Sequence, residues 1–188
     1  MLNDKTIIWK KRVDLGVTCA IIVQLVTLTV VSYAEFTKKT ADNLFLVAAN
    51  RAELATHAVE IVAYVTLWNL LSSNGGSRKS IVRVQYLDWA ITTPVMLYAL
   101  RAMVSFWCND RTSATLVTDD FMMALAANCA MLAIGYAATV SGSRTFTYVA
   151  FGIGMLLLVF VFWHIWQPAR NHAAAQALVA STFGVWSL

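Results

Sequence analysis

The feature that most constrains this chain is the spacing of its charges. They gather in short clusters, and between the clusters run apolar stretches of membrane-crossing length. A helix needs roughly 20 apolar residues to cross the hydrocarbon of a bilayer. Stretches of that kind cover about 13–34, 45–72, 81–107, 117–140 and 145–166, and a sixth apolar segment starts near Ala169. Of the 188 residues, 59% are hydrophobic and 13% charged, against about 25% charged in soluble domains. Lipid is therefore expected to be the main solvent. The sequence predicts an all-α, multi-pass integral membrane protein of the plasma membrane, with 1–188 as a single transmembrane domain and no soluble domain.

The connections carry polar and turn-forming residues. Glu35, Lys38, Lys39, Asp42 and Asn43 follow the first run, Ser73 to Ser77 the second, and Asp110 to Ser113 the third. Gln167-Pro168 interrupts the pattern after the fifth run, because proline cannot continue a helix interior. The sixth segment has an apolar part of only about 16 residues, Ala173 to Leu188, short of a full crossing. The chain is therefore expected to be incomplete, ending inside a helix. Residues 1–12 are polar and the first apolar run is too long for a cleaved signal, so that run is expected to stay as a helix. Cys19, Cys108 and Cys129 have no metal-ligand spacing and read as small buried hydrophobes. A net charge of +4 suits loops near anionic headgroups, not nucleic-acid binding. Lys and Arg divide almost evenly between the two sides, so they do not fix orientation.

Against this background the polar residues within the runs stand out. A charge in a span costs roughly 2.5–3.5 kcal/mol on insertion scales. Asp88 sits inside the third run, in Tyr86-Leu87-Asp88-Trp89-Ala90-Ile91-Thr92-Thr93-Pro94. It needs a buried cation, hydrogen bonds or a proton, unless it snorkels or pairs with a neighbouring helix. Thr92 lies one helical turn on and can share its face. Glu53, His57, Glu60 and Tyr64 follow at spacings that place them on one face of the second helix. Such a stripe suggests a wet or proton-carrying seam; alternatively Glu53 and His57 sit at the interface and only Glu60 lies deep. Asn128 is a deep polar residue that could be interhelical glue. Trp68, Trp107, Trp163, His164 and Trp166 read as an interfacial aromatic belt.

The run Tyr86-x-Asp88-Trp89-x-x-Thr92-Thr93-Pro94 strongly resembles the third helix of type 1 (microbial) rhodopsins. Met131-Leu132-x-x-Gly135-Tyr136 looks like the family's fourth helix, and Pro168 with Thr182-x-x-x-Trp186-Ser187-Leu188 like the start of its sixth. The resemblance covers the second to sixth helices. It implies a seven-helix bundle, of which five and a half to six helices are present, bound to all-trans retinal in the lipid bilayer. It also implies a homo-oligomer, trimer or pentamer. Asp88 would be the counterion and primary proton acceptor of a protonated retinal Schiff base, and Thr92 would hydrogen-bond it. Trp89 and Trp186 would sandwich the polyene. Tyr86, Thr93, Met96, Met131 and Gly135 would line the pocket, with Asn128 near the ring end and Met155 closing it.

Three positions depart from the family's pattern. Gln85 stands where the family usually has an arginine, and Arg83 would point to another face. The cytoplasmic proton donor of the best pumps would fall at Ala99, which cannot carry a proton; Glu60 is a candidate to replace it. The six lysines, Lys5, Lys10, Lys11, Lys38, Lys39 and Lys79, all fall in the N-terminus or loops, while the family's retinal-binding lysine is in the seventh helix. The functional expectation is a light-driven or light-gated ion transporter, not an enzyme, with protons the ion and Glu53, His57, Glu60, Tyr64 and Gln85 as a possible path. The alternatives are a sensory photoreceptor signalling to a partner protein and a lysine-less opsin relative without photoactivity.

Overall fold

The computed structural model describes residues 4–37, 44–72, 77–108 and 116–187. They form α1 (Asp4–Thr37), α2 (Leu44–Ser72), α3 (Arg78–Trp107), α4 (Asp119–Ser141), α5 (Arg144–Trp166), a 3-10 turn (Gln167–Ala169) and α6 (Ala173–Trp186). Five of these helices are long and apolar enough to cross a membrane, α6 being the shorter one. Among the described residues there is no strand. Each helix packs on its predecessor, and α3 also meets α6, which closes the bundle around α3. α1 packs on α2 and on no other element to a comparable extent.

The helix starts follow from local chemistry. Ser77, Thr118 and Ser143 each accept a hydrogen bond from the main-chain N–H three residues on, at 3.1, 3.3 and 3.3 Å. Such caps satisfy N–H groups that have no partner within the helix. α4 ends at Gly142, whose φ of +70° is a left-handed conformation that strains other residues.

Three boundaries differ from the sequence expectation. α1 reaches back through polar residues to Asp4, because a helix need not stop where the hydrocarbon does. α3 opens at Arg78 under its Ser77 cap, so Lys79 lies in a helical turn and not in a loop. α6 begins at Ala173, since Gln167-Pro168-Ala169 is wound as a 3-10 turn with proline in its first positions, where no N–H is required. Cys108 Sγ donates to the Pro168 carbonyl at 3.3 Å and ties that turn to the end of α3. The loop residues Lys38 to Asn43, Ser73 to Gly76 and Asp110 to Ser113 lie outside the described residues.

The interior is built largely from small residues. Ala49, Ala52, Ala63, Ala102, Ala124, Ala127, Ala150 and Ala175 are all buried. Larger core side chains, Leu97, Val104, Val161, Ile165 and Val179, fill the space between α3, α5 and α6. Lipid tails are as apolar as leucine, so helices in a bilayer associate through close packing and hydrogen bonds, which small residues permit. Leu15, Val23, Val62, Leu156 and Val159 face outward, as lipid solvation allows. Past the end of the first span, Glu35 accepts hydrogen bonds from Asn50 (2.8 Å) and Arg51 (3.0 Å) of α2. The Asn50 amide first, then Arg51, hold its carboxyl below the usual carboxylate range.

Candidate functional site

Asp88 is buried in α3, and its Oδ1 has no hydrogen-bond partner. Thr92 is fully buried, but its hydroxyl donates to the main-chain carbonyl of Asp88 at 2.9 Å and not to the carboxylate. Thr93 likewise donates to the Trp89 carbonyl at 2.7 Å. A threonine hydroxyl can always reach the carbonyl four residues back, and that local bond satisfies Thr92. Pro94 follows directly and brings no N–H for the Ala90 carbonyl. The middle of α3 is thus a stretch where side-chain hydroxyls supplement a weakened backbone ladder.

Beside this stretch lies a cavity of about 610 Å3. Its walls include Tyr86, Trp89, Thr92, Thr93 and Met96 from α3, Met131 and Gly135 from α4, Met155 from α5, Trp186 from α6, and Glu60 from α2. One wall is fixed by aromatic edges. Tyr86 meets Trp89 at 5.2 Å and Tyr136 at 5.5 Å between ring centroids. Its hydroxyl lies 3.4 Å from Thr139 Oγ1, and a Cβ added at Gly135 would lie only 2.8 Å from that same oxygen. Glycine at 135 is what lets the ring stand there.

Asn128 does not line the cavity. It is completely buried behind the wall and donates from Nδ2 to Thr93 Oγ1 at 2.8 Å, joining α4 to α3. The side chain is held by this polar contact and not by an opening toward a ligand. Leu132, which belongs to the fourth-helix run, also lines the cavity, as do Thr139, Thr147, Ala150, Phe151 and Leu158, which carry no signal in the sequence. Inside long apolar runs nothing distinguishes a cavity-facing residue from a lipid-facing one.

The face of α2 divides. Glu53 is exposed, whereas His57, Glu60 and Tyr64 are half-buried. His57 hydrogen-bonds Gln24 of α1 through Nδ1, and the same nitrogen lies 3.7 Å from Glu60 Oε2. Gln24 gives no signal in the sequence, because one amide in an apolar run carries no pattern. Glu60 stands at the junction, facing the cavity and in electrostatic reach of Asp88. Gln85 is half-buried in α3. At the other end of the bundle His164 is more than belt: its Nδ1 lies 2.9 Å from Asp120 Oδ1, joining α5 to α4. Trp163 is exposed and carries Arg170 over its ring at 5.4 Å.

The arrangement can hold an apolar ligand between tryptophans, with Glu60 in the cavity wall and Asp88 buried next to Trp89 on α3 but, like Asn128, outside the lining. That is the class of site found in retinal proteins. The sequence matches the model of the bacteriorhodopsin-like protein family over residues 13–185, and the chain belongs to that family. It is a microbial rhodopsin, an integral multi-pass membrane protein of a family whose chromophore is retinal. Members of the family are mainly light-driven transporters or sensors. The chain is 29% identical over 122 residues to Sensory rhodopsin III of Haloarcula marismortui, a match covering 64% of this chain and 48% of that protein. It thus spans about half the length of that relative. The fold is that of the viral rhodopsin OLPVRII, whose crystal structure superposes with a TM-score of 0.78 at 22% identity, covering 93% of this chain and 79% of the other.

Proposed function

We propose that the chain is the retinal-binding part of a light-driven ion transporter, with the proton as its ion and Asp88 as counterion and proton acceptor. The observation that carries this reading is the buried Asp88 Oδ1, without a hydrogen-bond partner, on the helix whose Trp89 and Thr92 wall the cavity together with Trp186. Retinal, when bound, supplies light absorption and isomerisation. The residues of this chain supply the rest. Asp88 holds negative charge in low dielectric and can take a proton at Oδ1. Thr92, engaged with the main chain, leaves that oxygen free to do so. Trp89 and Trp186 orient the polyene, and Met96, Met131 and Met155 fit themselves around it. Gln24, His57, Glu60 and Tyr64 form the polar seam along which protons or cations would travel, with Glu53 at its exposed edge. Gln85 brings no cation to the site.

A second reading, a sensory photoreceptor, is favoured by Ala99. That position is buried and apolar, so it offers no proton for recovery of the site, and a slow cycle suits signalling. Expression of the gene's full reading frame with all-trans retinal tests both readings. A pigment that shifts to longer wavelength in Asp88→Asn supports the counterion assignment, because removing the anion narrows the absorption gap. An unchanged spectrum gives the role to another acid. In illuminated cells, a pH change abolished by a protonophore marks a pump, and photocurrents that reverse with voltage mark a channel. Pigment with neither response leaves the sensor, and no pigment at all overturns the retinal-binding reading.

A further inference from the structure

The outer surface where α3, α4 and α5 meet is cationic at one end and apolar along its length. Lys79, in the first turn of α3, and Arg144, which opens α5, line a cleft of about 700 Å3 together with the hydroxyl-bearing Thr139, Thr147 and Tyr148. One helical turn from Lys79, about 6 Å along the axis, Arg83 opens a second groove of about 510 Å3 between α3 and α4. That groove continues over Leu87, Ala90, Leu132 and Tyr136, with Leu87 strongly exposed. Arg83, Leu87 and Ala90 recur at helical spacing, so the cation and the apolar floor lie along one stripe of α3.

The charge of this end is unbalanced. No Asp or Glu occurs from 61 to 87 or from 121 to 188. Asp4 and Asp14 reach this end on α1, but α1 packs on α2 and not on α4 or α5. Among the described residues, Lys79, Arg83 and Arg144 form no ion pair. A guanidinium set a turn into the bilayer beside an apolar groove is costly unless an anion accompanies it. A second copy docked by a two-fold contact would set these cations against themselves, and one docked head-to-tail would have to bring an acid from outside 61–87 and 121–188. A free phosphate would satisfy the cations and leave the groove bare.

We propose that this surface binds an anionic phospholipid, its phosphate between Lys79 and Arg144 and one acyl chain lying along the α3–α4 groove past Arg83. Cations at the bilayer surface attract anionic headgroups, and here the exposed Tyr148 hydroxyl lines the same cleft, while Thr147 donates to the Ser143 carbonyl at 2.9 Å. The assignment is independent of the light-driven function.

Native mass spectrometry of the full chain in neutral detergent, titrated with phosphatidylglycerol or phosphatidylcholine of matched acyl chains, tests it. Phosphatidylglycerol should be retained in preference. Lys79→Gln and Arg144→Gln should each weaken it about fivefold, as expected for roughly 1 kcal/mol per surface cation, and Arg83→Gln should do likewise. The charge-preserving pair Lys79→Arg and Arg144→Lys should keep it, separating lost charge from lost fold. Arg170→Gln, at the opposite end of the bundle, should change nothing. Equal retention of the two lipids overturns the proposal, as does undiminished binding in the Gln variants. Displacement by inorganic phosphate alone would make it a site for the free anion, and a dimer that forms as lipid is removed would seat a second copy there. Either result also overturns it.

Discussion

At position 135 a single hydrogen in place of a methyl group decides where the cavity wall stands. Gly135→Ala would press a carbon to 2.8 Å from the Tyr86 hydroxyl oxygen, and Tyr86 is held on two other sides by Trp89 and Tyr136. The substitution should destabilise the chain by about 1–3 kcal/mol, as overpacking does, read as a lower thermal midpoint in detergent. Adding Tyr86→Phe should recover most of the loss, because the clashing atom is then gone. Much of the site was legible at this scale. A carboxylate inside an apolar run cannot hide, and the tryptophans, methionines and glycine around the cavity came with the family resemblance carried by three separate runs. The bonding partners were not legible. Thr92 has the carboxylate and the carbonyl of Asp88 within reach, and only the rotamer chooses between them. Asn128 and Gln24 show the same limit: helical spacing fixes a face to within a broad arc, while a hydrogen bond needs a direction.

The contact between α1 and α2 has its own pH dependence. Glu35 keeps its charge to lower pH in the folded chain than in the unfolded one, through Asn50 and then Arg51. Its contribution is therefore complete above the ordinary carboxylate pKa and disappears as pH falls through the lowered folded value. Amide exchange at the end of α1 should quicken on acidification over that range. In Glu35→Gln this dependence should be absent, and its persistence would assign the effect to another group. Both partners are partly exposed, so the effect is expected to be small and salt-sensitive. Helix number and order were readable from the runs alone, because apolar length and turn residues are one-dimensional signals. The helix ends were less so. The start of α1 and the 3-10 turn before α6 depend on how polar residues and Pro168 meet neighbouring chain, which hydrophobicity does not record.

Across the whole molecule, packing is uneven. α3 touches α2, α4 and α6, whereas α1 has substantial contact with α2 alone. Local stability follows such contact, so hydrogen exchange should release α1 well before α3, a ranking that mass spectrometry of peptic fragments would establish. Uniform exchange would contradict it. The polar attachments of α1 from Gln24 to His57 and from Glu35 to Asn50 and Arg51 are equally local, all reaching α2. During synthesis this has a consequence for timing. When α2 has left the ribosome, the first helix already has the partner that masks its amide from the hydrocarbon. The opening hairpin can therefore be handed from translocon to lipid as a finished unit, and the later helices arrive at a platform that is already in place.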